Sequence, residues 1–263
     1  MSLPQDAVLL NVQDGIARIR FNRPDALNAI DDALARGFLA ACEAVSQRSD
    51  VRVVVLSGAG RAFMAGGDLR RMHAAGEAGP LADALLRVLN PALLLLADIP
   101  APVLASVHGA VAGAGVGVAL AADLAIAAND TQINLAYTRI GATPDAGTTW
   151  ELPRLVGLRR ALEIALLNDT YDAAEALRLG LVNRIVPGEM LEAETEALAH
   201  RLASGATLAY GRAKRLMRAS FDATLAQQLD AERDAFVEST RTADFKEGVS
   251  ALLEKRKPRF SGS

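Results

Sequence analysis

The sequence predicts an α/β layered fold that passes into helix toward its C-terminus. Three observations predict it. Short apolar runs rich in β-branched residues alternate with helical patterns through the first half of the chain. After about residue 150 the strand signal nearly vanishes, leaving only LVNRIV at 181–186. The 263 residues make one large domain or two small ones. A chain of this length buries roughly 70–75% of its unfolded surface, so it needs neither disulfide nor metal to hold a core.

The elements follow in order. AVLLNV (7–12) and IARIRF (16–21) read as two strands, joined at Gln13-Asp14-Gly15 by a hairpin turn. Residues 31–48 carry a helical pattern with Asp31 or Asp32 as its cap. VRVVVL (51–56) is a strand closed by Ser57-Gly58-Ala59-Gly60. Residues 81–97 read as a strongly apolar helix that Pro91 kinks or starts. Val103 to Val107 is a strand, and the glycine-rich run 109–117 then leads into an apolar helix ending near Asp123. Leu124 to Ala127 is another strand, and 159–180 and 189–254 are helical in pattern. No low-complexity linker and no repeat of fixed period interrupts this.

Composition excludes several functions. Hydrophobic residues are 51% and charged residues 22%, which is globular rather than disordered. The net charge of −3 argues against nucleic-acid binding, because phosphate contacts need a basic face. The lone cysteine, Cys42, forms no internal disulfide and suits a reducing cytoplasm. Aromatics are only 4%, so Ala, Leu and Val must build the core. MSLPQDAVLL lacks the basic and apolar regions of a signal peptide. Ile99 to Ala122 is long enough to span a bilayer, but Pro100, Pro102, Ser106 and His108 interrupt it. A strand, a glycine loop and a buried helix account for it better, so no membrane partner is expected.

Three segments could carry chemistry. HGAVAGAGVGVALAAD (108–123) places Gly113-Ala114-Gly115-Val116-Gly117 between a strand and a helix. Its G-x-G-x-G spacing misses the dinucleotide fingerprint G-x-G-x-x-G. It can instead offer free backbone N–H groups to an anion, or serve tight backbone packing. GAGRAFMAGGDLRRM (58–72) again sets small residues before Asp68, which reads as the cap of a following helix. Pro144-Asp145-Ala146-Gly147 is ordinary turn chemistry taken by itself. His73, His108 and His200 make no metal-ligand spacing, and no Walker loop or G-x-S-x-G elbow occurs.

Taken together, these segments resemble the crotonase superfamily of enoyl-CoA hydratases and isomerases. Five motifs stand in order: FNRPDALNAI (21–30), GAGRAFMAGGDL (58–69), HGAVAGAGVGVALAAD (108–123), IGATPDAGTTWELPRLVG (140–157) and AEALRLGLVNRIV (174–186). The resemblance implies a β-β-α spiral with a C-terminal helical region for trimer assembly. A core over 1–200 and an assembly region over 201–263 are expected, giving a homotrimer or a dimer of trimers. The substrate would be an acyl-CoA thioester, with coenzyme A entering as part of it and no separate cofactor or metal. The thioester oxygen would sit between the N–H groups of Gly67 and Ala114. Ala65, Asp68, Leu69, Tyr137, Arg23 and Ala26 are implied to contact substrate. Arg23, Arg70 and Arg71, with Lys255 and Lys257 from a neighbouring chain, are candidates for the CoA phosphates, a solvated surface charge being the favoured reading of each alone.

Departures from the family pattern bear on the reaction. The two glutamates of the hydratases fall on Gly117 and Tyr137, neither of which is a carboxylate. Asp145 survives, at a position where an aspartate is catalytic in related isomerases and chlorobenzoyl-CoA dehalogenases. Tyr137 is then either an orienter of that carboxylate or pocket wall, with wall the favoured reading. GAGVGVALAADLAIAA, PDAGTTWELPR and DFKEGVSALLEKRKPRF look most like the ring-1,2-epoxyphenylacetyl-CoA isomerases. The dehalogenase route needs a histidine before the Val103 strand, where Asn90 stands and no histidine occurs. The expected function is an acyl-CoA isomerase with Asp145 as acid/base. The alternatives are a hydratase with atypical catalytic groups and a non-catalytic acyl-CoA binder.

Overall fold

The structure is a computed structural model that describes residues 6–263. The opening MSLPQ, part of the segment read as lacking a signal peptide, lies outside the described residues.

β1 (Val8–Gln13) and β2 (Ile16–Phe21) form an antiparallel hairpin. Asp14 and Gly15 both have positive φ, 53° and 75°, which a tight two-residue hairpin turn requires. Helix α1 (Asp32–Ser46) follows, with the Asp31 carboxylate accepting from the Leu34 N–H.

The chain then repeats one move three times. A strand runs in one sheet, a short turn drops it into a strand of a second sheet, and helix leads back. β3 (Val53–Gly58) passes to β4 (Ala62–Met64), then to α2 (Leu69–Ala74) and α3 (Ala78–Asp98). β5 (Val103–Val107) passes to β6 (Ala110–Ala112) and α4 (Ala114–Leu120). β7 (Leu124–Ala128) passes to β8 (Gln132–Asn134), then α5 (Thr148–Val156) and α6 (Leu158–Leu167). β9 (Tyr171–Asp172), α7 (Ala173–Leu179) and β10 (Arg184–Val186) complete the sheets. The larger sheet has order β1-β2-β3-β5-β7-β10 and the smaller β4-β6-β8-β9. From β2 to β10 the larger sheet is parallel, and β4, β6 and β8 are parallel in the smaller. This is the β-β-α spiral.

Parallel strands covered on both faces read as continuous apolar runs. Val53, Val54, Val55 and Leu56 are all buried accordingly. The core on one face of the sheet packs α1 and α3, through Leu34, Phe38, Leu89 and Leu96. On the other face α8 (Leu191–Ala203) places Leu198 and Ala199 against Ile16, Val55 and Ile126. Although aromatics are few, three meet at the centre of the core. Phe21 packs edge-on against Phe38 at 5.2 Å and against Phe63 at 5.5 Å, each pair adding about 0.5–1.5 kcal/mol beyond burial.

Several boundaries differ from expectation. The helical stretch 189–254 is four helices: α8, then α9 (Thr207–Ala219), α10 (Leu225–Thr240) and α11 (Ala243–Leu253). The stretch 159–180 breaks where Asn168 adopts a left-handed conformation and β9 intervenes. Pro91 neither starts nor ends α3 but lies inside it. The expected division at 200/201 falls within α8. Ile99–Ala122 holds the strand and the helix as read, but a second short strand, β6, stands within the stretch read as a glycine loop. α3 is long and apolar enough to cross a membrane by length and composition, and it buries Leu85, Leu89, Ala92 and Leu96 in the core.

Candidate active site

The smaller sheet sets the ends of its strands beside one another, and the loops leaving them build the site. After β4 the chain turns at Gly66, whose φ is 87°. A Cβ there would lie 2.9 Å from the Ala112 carbonyl oxygen and 3.4 Å from the Ala114 nitrogen. Only glycine allows the two loops this approach. It brings the segment 66–67 against the start of α4. Ala114 is the first residue of that helix, so its N–H has no partner within it. Around Gly67 the neighbours are engaged: Ile30 N–H donates to the Gly66 carbonyl and Asp68 N–H to the Ile30 carbonyl. Among the described residues neither the Gly67 nor the Ala114 N–H donates a hydrogen bond. Two unengaged donors on abutting loops can together hold an oxygen that is gaining negative charge.

A residue not singled out from the sequence holds this loop. Asn28 is fully buried with φ 56°, and its amide donates to the carbonyls of Ala59, Ala62 and Phe63. Its carbonyl accepts from the Arg23 N–H. It ties the FNRPDALNAI segment to the β3–β4 connection. The signal was an Asn in a left-handed position between apolar residues, which reads as a turn unless its partners are known.

Across the site lie Tyr137 and Asp145. Asn168 holds the loop that carries Tyr137, its side chain accepting from the Ala136 N–H at 2.7 Å and donating to Thr138. Asp145 begins a tight turn in which the Thr148 N–H donates to its carbonyl. The residues between, Ala146 and Gly147, both have positive φ, 49° and 75°. For alanine this is a strained conformation. Asp145 thus holds the first position of the turn, where the sequence reading put Pro144 second and Asp145 after it.

The Tyr137 hydroxyl donates to Asp145 Oδ1 at 2.5 Å. Wall is the favoured reading of Tyr137 from the sequence; the structure adds a hydrogen bond from its hydroxyl to the carboxylate. Burial pushes the Asp145 carboxyl above its ordinary range, opposed in part by that hydrogen bond. Burial and the adjacent carboxylate push the Tyr137 phenol far above its ordinary value, so it stays a donor.

Gly117 faces the same turn. A Cβ there would lie 2.4 Å from the Ala146 carbonyl oxygen and 2.8 Å from Thr148 Oγ1. No side chain fits, so no carboxylate could stand at this position without displacing the turn that carries Asp145. Thr148 itself is buried, faces Tyr137, and leaves its hydroxyl without a hydrogen bond.

Asp145 opens into a cleft of about 670 Å³ between α3, α5 and α9, lined by Leu86, Leu93, Leu94 and Asn90 of α3. Glu151 lines it too, but is paired to Arg218 at 2.8 Å. Among the described residues no group of His, Cys, Asp and Glu could hold a metal ion.

The remaining residues are placed as follows. Arg23 is half-buried, with its guanidinium at 3.1 Å from Asp31 and 3.4 Å from Asp68. Asp68 also accepts from the Arg71 N–H, capping α2 as read. Arg71 pairs with Asp31 and Asp32. Ala65 donates its N–H to Leu27, and Ala26 lies in a single 3-10 turn beside it. Leu69, Arg70, Lys255 and Lys257 are exposed. Thus Gly66, the neighbour of Gly67, comes against Gly113 and Ala114, while Tyr137 bonds Asp145 and Gly117 abuts Ala146 of the same turn. The carboxylates of Asp31, Asp32 and Asp68 already engage Arg23 and Arg71 at the rim.

The family model described as enoyl-CoA hydratase/isomerase matches residues 11–263. The chain belongs to that family. A relative in Escherichia coli K12 named 1,2-epoxyphenylacetyl-CoA isomerase is 39% identical over 97% of this chain and 98% of its own length. One in Rhodobacter capsulatus, named "Probable enoyl-CoA hydratase", is 41% identical over 95% of this chain and 96% of its own. The crystal structure of an enoyl-CoA hydratase from Bacillus anthracis superposes with TM-score 0.92 at 30% identity, covering 98% of this chain and all of that one. Members of the enoyl-CoA hydratase/isomerase family thus include both named activities. In this chain the cleft carries the Asp145 carboxylate bonded to Tyr137, beside a Gly117 position that has no room for a side chain.

Proposed function

We propose that this chain is an acyl-CoA isomerase. Asp145 takes a proton from the carbon next to the thioester carbonyl of a 3-enoyl-CoA. The C–H electron pair moves onto the thioester, forming an enolate whose oxygen accepts hydrogen bonds from the Gly67 and Ala114 N–H groups. Each such donor is worth about 3–4 kcal/mol of barrier. Asp145 then returns the proton two carbons away, and the double bond closes in conjugation with the carbonyl. No oxidant, water or cofactor enters the balance.

One observation carries this reading. Asp145 is the one carboxylate in the cleft that is not held in an ion pair, and its pKa is raised toward that of a useful base. The same base and the same two donors suit opening of a ring epoxide on an acyl-CoA, the reaction class in the name of the E. coli relative. A hydratase reading would need a second carboxylate to share the water. Glu151 is the one available, and only if Arg218 released it. For the CoA phosphates we retain Arg70, Lys255 and Lys257, the last two from a neighbouring subunit of a trimer assembled through α9–α11. Cys42 is buried, its thiol pushed up to about 12, in keeping with a reduced cytoplasmic protein.

The test is a paired assay. The protein and its Asp145→Ala variant are each given a 3-enoyl-CoA, and the conjugated 2-enoyl thioester is followed by ultraviolet absorbance. Turnover by the first alone is expected. Absence of turnover by both, on the enoyl thioester and on epoxyphenylacetyl-CoA, would leave an acyl-CoA binder. Water addition to 2-enoyl-CoA without isomerisation would favour the hydratase.

A further inference from the structure

Two cavities meet at one ion pair. The cleft that holds Asp145 shares Trp150, Glu151 and Arg218 with a second cavity of about 460 Å³. Beyond that partition the second space is lined by Leu120, Leu124, Leu155 and Phe221. Both spaces are therefore largely apolar; apart from Asp145 in the first and Arg154 in the second, their charges are the partition pair and its neighbours Asp123 and Lys214. Arg218 reaches Glu151 at 2.8 Å, and through its other nitrogen Asp123 at 3.4 Å and the Ala121 carbonyl at 3.3 Å. Lys214, only 7% exposed, closes the row at 2.8 Å from Asp123. Two cations and two anions cancel, so the row is fully paired. A paired row of this kind is a poor way to gain stability, since apolar side chains would fill the same volume at less desolvation cost. It is, however, a rigid wall that an alkyl chain cannot displace without stranding a charge.

Geometry gives the wall a direction. Asp145 leads into α5, and Glu151 sits one turn along that helix on the same cleft. A chain whose reacting carbon is at Asp145 and whose tail follows the cleft meets the partition. We infer that the Glu151–Arg218 pair is the end wall of the acyl pocket and sets the longest acyl chain the site accepts, the second cavity being the space a longer chain fills once the wall is removed. This rests on the proposed acyl-CoA reading of the Asp145 cleft.

The experiment compares chain-length profiles. Glu151→Ala/Arg218→Ala removes both charges together and strands neither. Rates on butenoyl-, hexenoyl-, octenoyl-, decenoyl- and dodecenoyl-CoA with the double bond at carbon three are measured alongside the parent protein. The parent is expected to fall off at the long end. The double variant is expected to raise kcat/KM for dodecenoyl- relative to hexenoyl-CoA by about tenfold or more, because each further methylene then leaves water. Adding Leu155→Trp, which fills the second cavity from its far side, should cancel that gain while leaving the parent profile unchanged when introduced alone. Trp150 is the only tryptophan and lies in the partition, so its fluorescence reads the binding of saturated acyl-CoAs of the same lengths independently of turnover. Length-selective binding without turnover would sustain the wall and remove the isomerase. An unchanged profile in the folded double variant, or a gain that Leu155→Trp leaves intact, overturns the inference. Should the double variant not fold, Trp150→Ala opens the same partition while leaving the Glu151–Arg218 pair in place, at the loss of the Arg154 stacking on its ring, with binding read by calorimetry.

Discussion

The Tyr137 hydroxyl and the Asp145 carboxylate are joined by one hydrogen bond of 2.5 Å, eight residues apart in the chain and on opposite sides of a loop. The bond works against burial. Burial raises the Asp145 pKa, and donation from Tyr137 lowers it. If Asp145 is the base, activity requires its deprotonated form and falls as pH drops through that raised value. Tyr137→Phe deletes the opposing donor, so the acid limb of kcat/KM moves to higher pH. We also expect a rate loss of about tenfold to a hundredfold from poorer alignment. A pH–rate profile of the variant checks both; an unmoved acid limb would return Tyr137 to pocket wall.

The same shift makes a statement about stability. A carboxyl whose folded pKa exceeds its unfolded value binds more protons in the folded state. Its ionisation therefore opposes folding above the folded pKa, and the penalty fades as pH falls toward the ordinary carboxylate value. Asp145→Asn removes the ionisation and keeps the shape. It should raise Tm at neutral and alkaline pH, with the gap to the parent narrowing on acidification. Differential scanning calorimetry across pH checks the sign, and activity should be lost throughout.

At Gly117 the smallest change is already too large. Gly117→Ala sets a methyl 2.4 Å from the Ala146 carbonyl oxygen, so the backbone that carries Asp145 must move. We expect a cost of about 1–3 kcal/mol and a fall in kcat of about a hundredfold. Urea unfolding and steady-state kinetics measure the two. Gly117→Glu should not create hydration activity for the same reason.

Ala114→Pro addresses a backbone donor directly. At the first residue of a helix proline is tolerated, because the N–H it lacks has no partner there. We expect kcat to fall by about 10²–10³-fold with circular dichroism and Tm little changed. Retention of full activity would exclude this N–H from the reaction.

Asn28→Ala tests the scaffold. Three buried carbonyls would lose their shared donor, at a cost of about 3 kcal/mol. Denaturant unfolding should register this as a lower midpoint, with kcat falling as the loop at Gly67 loosens.

The strands of the larger sheet were legible in the sequence because apolar runs such as VVVL at 53–56 and the alternation of IARIRF at 16–21 leave few other readings. Those of the smaller sheet were not. β4, β6 and β8 are three residues each, too short for any period to register. The motifs named from the sequence did mark the loops that meet, since glycine density reports close backbone approach. What no local pattern could supply was the pairing across loops. Tyr137 with Asp145, Gly117 with Ala146, and Asn28 with three carbonyls depend on which turns of the spiral abut. Arg23 shows the same limit: its charge was legible, but not that Asp31 and Asp68 already engage it.

The two amides on abutting loops have one further consequence. They belong to the main chain, so nearly every amino-acid exchange at Gly67 or Ala114 leaves the N–H in place, and only proline deletes it. Side chains around them can therefore change while both donors are inherited intact with the backbone path. A spiral of this kind can exchange its carboxylates one at a time and still present the same two N–H groups.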